Sequence, residues 1–164
     1  FPYGWNGAEC IPVPGDYDGD GVAEFAVYHW PSNQWFIQGF GASGEAGQFG
    51  WGGADCLPYP ADYDGDGKIE IAVYHVPTNQ LFVQGYPLDY FGQFGWGGGN
   101  SFFIPGDYNG DGLLERAIYR PAENRWILDG GASFSWGWDQ GNFIPVTSQI
   151  AVYNWFRFVL NRFQ

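Results

Sequence analysis

Residues 15–29 read "GDYDGDGVAEFAVYH", and close copies return as "ADYDGDGKIEIAVYH" at 61–75 and "GDYNGDGLLERAIYR" at 106–120. Asp16, Asp62 and Asp107 are spaced by 46 and then 45 residues, and Tyr28, Tyr74 and Tyr119 keep the same two intervals. Working outward, Trp5, Trp51, Trp96 and Trp136 each precede a proline by nine residues, at Pro14, Pro60, Pro105 and Pro145. The chain therefore contains four units. In the fourth, Ile150 lies five residues after Pro145 where Phe25 lies eleven after Pro14, so six residues are missing. That is the length of the DYDGDG segment itself, and the "IAVY" strand that follows it is retained.

Each unit reads as four short strands. A first strand ("CIPVP", "CLPYP", "FFIP", "NFIPV") runs into the acidic loop. A β-branched and aromatic run leaves it ("EFAVYH", "EIAVYH", "RAIYR", "QIAVY"). A tight turn leads to a third strand ("WFIQG", "LFVQG", "WILDG"), and "GQFGW" or "SFSWGW" supplies the fourth. No helical periodicity of useful length is present, so the class is all-β. Small antiparallel sheets repeated every 40 to 50 residues predict a β-propeller of four blades, three with acidic loops and a trimmed fourth. The expected domain is single, 1–164, with blades near 11–51, 57–96, 102–138 and 143–164. Residues 1–5 would complete the last blade, or else the last blade of a neighbouring copy in a filament.

The loops absorb the acidity. Six basic and eighteen acidic residues give a formal charge of −12, and 11 of the 18 acids fall in the three loops. Such a charge disfavours phosphate backbones and anionic membrane surfaces, so neither nucleic acid nor a bilayer is an expected partner. No apolar run reaches the length of a membrane span and no signal-like segment opens the chain; the absence of methionine reads as a processed mature chain or part of a longer one.

Within "DYDGDGVAE" oxygen-bearing side chains fall at loop positions 1, 3, 5 and 9, with glycine at 6. Alternate residues pointing inward, a carbonyl from position 7 and a glycine for the sharp turn describe a wrap around a hard cation. The expected ligands are Asp16, Asp18, Asp20, Val22 and Glu24 in the first loop. Asp62, Asp64, Asp66, Lys68 and Glu70 follow in the second, and Asp107, Asn109, Asp111, Leu113 and Glu115 in the third. About three Ca²⁺ ions are expected: oxygen donors suit them, and the loops hold no Cys or His for zinc. Position 12 is Val27, Val73 or Ile118, so these are not EF-hands. A single Asp-Gly cluster is also a good hairpin turn, and the threefold recurrence with the same downstream glutamate is what favours the ion. Asn109 keeps an oxygen but drops a charge, making the third site the weakest.

These loops, the "AVYH" and "AIYR" strands, and the "FGW" at 49–51 and 94–96 together resemble the FG-GAP, or VCBS-type, repeats of integrin-like β-propellers. The resemblance covers essentially the whole chain. It implies that each loop joins the inner two strands of a blade and binds Ca²⁺ through the residues named above. It further implies an extracellular or cell-surface module for adhesion or recognition of a glycan or protein partner. The chain departs from the family in having fewer blades than its usual six to eight, and glutamate where aspartate is more usual at the ninth position.

Trp5, Trp51, Trp96 and Trp136 have two readings: aromatics packed between blades, or flat faces that stack on sugar rings beside Gln38, Gln48, Gln84 and Gln93. His29 and His75 read as polar strand ends. No Ser-His-Asp, Cys-His or paired-carboxylate arrangement remains once the loops are assigned, so the chain is not expected to be an enzyme. Cys10 and Cys56, at matching places in two units, are either a disulfide between neighbouring repeats or two small buried thiols.

Overall fold

A computed structural model describes residues 9–41, 45–50, 55–87, 91–92 and 101–136. Over these residues the chain is all-β and antiparallel. Its strands are β1 (Cys10–Pro12), β2 (Ala26–His29), β3 (Gln34–Ile37), β4 (Glu45–Gln48), β5 (Cys56–Pro58), β6 (Ala72–His75), β7 (Gln80–Val83), β8 (Phe102–Phe103), β9 (Ala117–Arg120), β10 (Arg125–Leu128) and β11 (Ser133–Ser135). The one helical element among the described residues is a 3₁₀ turn, Pro121–Glu123.

Each acidic repeat forms its own meander. The sheets run β1-β2-β3-β4, β5-β6-β7 and β8-β9-β10-β11 in chain order, as short connections between antiparallel strands require. The chain divides into two compact units, the first carrying β1 to β7 and the second β8 to β11. The expected fourth strand of the second repeat, the fourth repeat at 143–164 and the closing segment 1–5 lie outside the described residues.

Aromatic pairs pack within each meander. Tyr28 on β2 faces Trp35 on β3 with ring centroids 5.0 Å apart, and Tyr119 on β9 faces Trp126 on β10 at 5.1 Å. In the second repeat the position opposite Tyr74 is Leu81, and Tyr74 instead meets Tyr59 at 5.7 Å. Tyr28, Trp35, Tyr59, Tyr74 and Tyr119 are all buried. Pairs of this kind add about 0.5–1.5 kcal/mol each beyond their area burial. The turns between second and third strands place Asn33, Asn79 and Asn124 in the left-handed region at φ 54, 53 and 48, where asparagine is tolerated better than other side chains. Tyrosine hydroxyls tie turns back to the sheet: that of Tyr28 donates to Asn33 Oδ1 at 2.5 Å, and that of Tyr119 to Asn124 Oδ1 at 3.0 Å.

No disulfide joins Cys10 and Cys56: both are thiols, Cys56 buried and Cys10 half-buried. They occupy equivalent first positions of β1 and β5, strands of different sheets, so the small-buried-thiol reading holds for Cys56.

Candidate metal centre

The acidic segments connect β1 to β2, β5 to β6 and β8 to β9, the first two strands of each meander. Each loop is closed at its base by one antiparallel bridge: Gly15 with Glu24, Ala61 with Glu70, and Gly106 with Glu115. The glutamate N–H donates to the facing carbonyl at 2.9 Å in all three. The ninth-position acid is therefore fixed by the sheet that begins with it, and its carboxylate returns over the loop.

The first aspartate of each loop is a scaffold. Asp16 Oδ1 accepts from the N–H of Gly19 at 2.6 Å and of Asp20 at 3.2 Å, and its Oδ2 accepts from Gly21 at 2.8 Å. Asp62 takes Gly65, Asp66 and Gly67 in the same way, and Asp107 takes Gly110, Asp111 and Gly112. Coiling the main chain around one carboxylate demands left-handed residues, which is why Gly19 and Gly21 stand at φ 82 and 87. The N–H groups of Gly110 and Gly112 hold the exposed Asp107 carboxyl below its usual range.

Positions 3, 5 and 9 use one oxygen each to fix the chain. Asp18 Oδ1 accepts from Asp20 N–H at 3.0 Å, Asp20 Oδ1 from Val22 N–H at 2.8 Å, and Glu24 Oε2 from Tyr17 N–H at 2.7 Å. Asp64, Asp66 and Glu70 repeat these bonds. One oxygen anchors and the second is left for another partner. The result is a set of oxygens, one per carboxylate, lying within 4.8 Å of one another: Asp16, Asp18, Asp20 and Glu24; Asp62, Asp64, Asp66 and Glu70; and Asp107, Asp111 and Glu115. Each set could hold a metal ion. Val22, Lys68 and Leu113, expected to offer carbonyls, sit at the exposed seventh position, their N–H groups held by the preceding aspartate.

The third loop differs at one atom. Asn109 uses its amide oxygen as Asp18 uses Oδ1, accepting from Asp111 N–H at 2.8 Å. What remains is an NH₂ group, which donates to Asp111 Oδ2 at 3.0 Å and to Glu115 Oε1 at 2.9 Å. A donor thus bridges two carboxylates from inside the loop. The oxygen that Asn109 was expected to keep for an ion is engaged by the main chain.

Tyrosines 17, 63 and 108 have a role that sequence reasoning did not assign. The N–H of each donates to the ninth-position glutamate, and the hydroxyl donates four residues back, to the carbonyls of Val13, Tyr59 and Ile104 at 2.7, 2.7 and 2.8 Å. Each ring roots its loop in the sheet. Burial raises all three phenols, Tyr108 to about 12, and keeps them protonated donors; the charge of Glu24 or Glu115 adds to the effect for Tyr17 and Tyr108, and Tyr59 and Glu70 add to it for Tyr63. The signal was present, since tyrosine follows the first aspartate in every loop. The Tyr86 hydroxyl also donates to Asp64 Oδ2 at 2.8 Å, a contact across 22 residues with no sequence signature. Burial raises Glu70 above the ordinary carboxylate value; the Tyr63 N–H opposes this and the charges of Asp64, Asp62 and Asp66 reinforce it.

Of the proposed sugar-stacking residues, Trp136 is 72% exposed beyond β11, and Trp5, Trp51 and Trp96 lie outside the described residues. His29 ends β2, with Nδ1 2.6 Å from Ser32 Oγ and Nε2 3.5 Å from Glu9. Comparison of the chain with protein-family models, with curated proteins and with solved structures finds no match.

Proposed function

We propose that the protein is a calcium-binding β-propeller module of the FG-GAP or VCBS kind, acting outside the cell in adhesion or in recognition of a glycan or protein partner. One observation carries the calcium part: the three carboxylate sets each span no more than 4.8 Å. Oxygens on opposite sides of Ca²⁺ stand about 5 Å apart, twice its 2.3–2.6 Å bond, so each set has the right size for one ion. All the side-chain donors are oxygen, which suits calcium and not zinc. The ion's role is structural. It neutralises carboxylates that repel one another across each loop and so locks the first hairpin of each meander, stiffening the surface offered to a partner.

Thermal unfolding in calcium and in chelator tests the reading. Ion at 100 times its Kd stabilises by about 2.7 kcal/mol per site, several degrees in Tm for a chain of this size. Asp20→Ala and Asp66→Ala should each lose one site's share of that gain. If both variants kept the full calcium response, the ligand assignment would be wrong.

A further inference from the structure

We infer that the first two loops are coupled cation sites, in which an ion held by one raises the affinity of the other; this rests on the reading of the loops as Ca²⁺ sites. The carrying observation is a contact between the loops. Residues 68–70 contain two expected ligands of the second loop, the Lys68 carbonyl and the Glu70 carboxylate, and the residue between them reaches into the first loop. The Ile69 N–H donates to the main-chain carbonyl of Asp16 at 2.7 Å. The Ile69 side chain covers Gly15, where an added β-carbon would come within 3.1 Å of it. The Lys68 stem lies across Gly19, where a β-carbon would meet Cε at 2.8 Å. Gly15, Asp16 and Gly19 are the root, the first ligand and the first scaffolded N–H of loop one.

An ion in the second loop immobilises Lys68 and Glu70, and with them the N–H that holds the Asp16 carbonyl and the side chains that cap Gly15 and Gly19. Ordering the shared segment is a single event, so the second ion meets a loop already set. Thermodynamic linkage makes the effect equal in both directions. Neutralisation of one acidic loop lowers the repulsion felt by the other and acts with the same sign, but that part is screened by salt, whereas the contact is not.

A calcium titration of the ¹⁵N-labelled full chain, followed at the amides of Gly21 and Gly67, separates the sites, since each glycine N–H is bound to the first aspartate of its own loop. Asp64→Ala removes a second-loop ligand yet should raise the calcium midpoint at Gly21 by about fivefold or more. Asp18→Ala should do the same at Gly67, and both effects should persist in about 0.5 M KCl. Asp64→Asn serves if the alanine variant fails to fold. A Gly21 midpoint within about twofold of the wild type, or coupling abolished by salt, overturns the inference. Failure of Gly21 and Gly67 to titrate in the wild type overturns instead the calcium reading beneath it.

Discussion

At Asn109 the exchange of a carboxylate oxygen for an amide nitrogen converts an acceptor into a donor that bridges Asp111 and Glu115. An incoming cation must displace this amide, so the third loop loses more than one unit of charge. Asn109→Asp restores the acceptor pattern of Asp18, and the affinity read at Gly112 should rise roughly tenfold, the scale of one charged hydrogen bond made or lost. An unchanged midpoint would show that the amide does not oppose the ion. Glu70 makes a second residue-scale case. Its folded pKa lies above the ordinary 4.5, so its contribution to stability is fully present below that value and is lost as pH rises through the folded value. In chelator at pH 7, Glu70→Gln should therefore melt higher than the wild type, with the difference closing by about pH 4. In calcium the order should reverse, because the same change removes a ligand while keeping an acceptor for Tyr63 N–H. A lower Tm for the variant in chelator at pH 7 would contradict the sign.

The three meanders were legible as elements because their pattern is local: alternating strands, a glycine-rich acidic loop and an asparagine turn recur at fixed intervals. The acidic clusters were legible for the same reason, since oxygen-bearing side chains recur at positions 1, 3, 5 and 9 of every loop with glycines between them that let the chain coil. What was not legible is how each loop is anchored. The tyrosine at position 2 carries no role in the sequence until its hydroxyl is seen on a carbonyl four residues back, and Tyr86 reaches Asp64 across a distance no local pattern encodes. The Ile69 bond to Asp16 belongs to the packing of one repeat on another, which repetition announces without giving its register. The anchoring has a measurable consequence. Tyr63→Phe keeps the ring in place but leaves the carbonyl of buried Tyr59 without that donor, a loss of about 1–3 kcal/mol. The loss should appear as a lower Tm in chelator and in calcium alike, because the bond roots the loop whether or not an ion is present. A variant destabilised only in calcium would place Tyr63 in the ion site itself.

At the scale of the whole molecule charge and edges act together. The chain carries −12, and three Ca²⁺ would halve this to −6, since each ion adds two positive charges. Both values keep copies apart at low salt, and the larger one also works against folding, so calcium should raise Tm more at low than at high ionic strength. Edge strands are the other route to association. The outer strands of the described sheets, β1, β4, β5, β7, β8 and β11, have between two and four residues each, which offers a second chain few ladder bonds. Short edges and a residual −6 argue for a single copy of 18.3 kDa in solution with calcium bound. Light scattering with and without chelator measures this directly. A constant mass near one copy supports a module that meets its partner as a monomer. Masses that grow with protein concentration would mean that strand exchange between copies outweighs both barriers, and the chain would then be a filament subunit whose calcium loops stiffen a polymer.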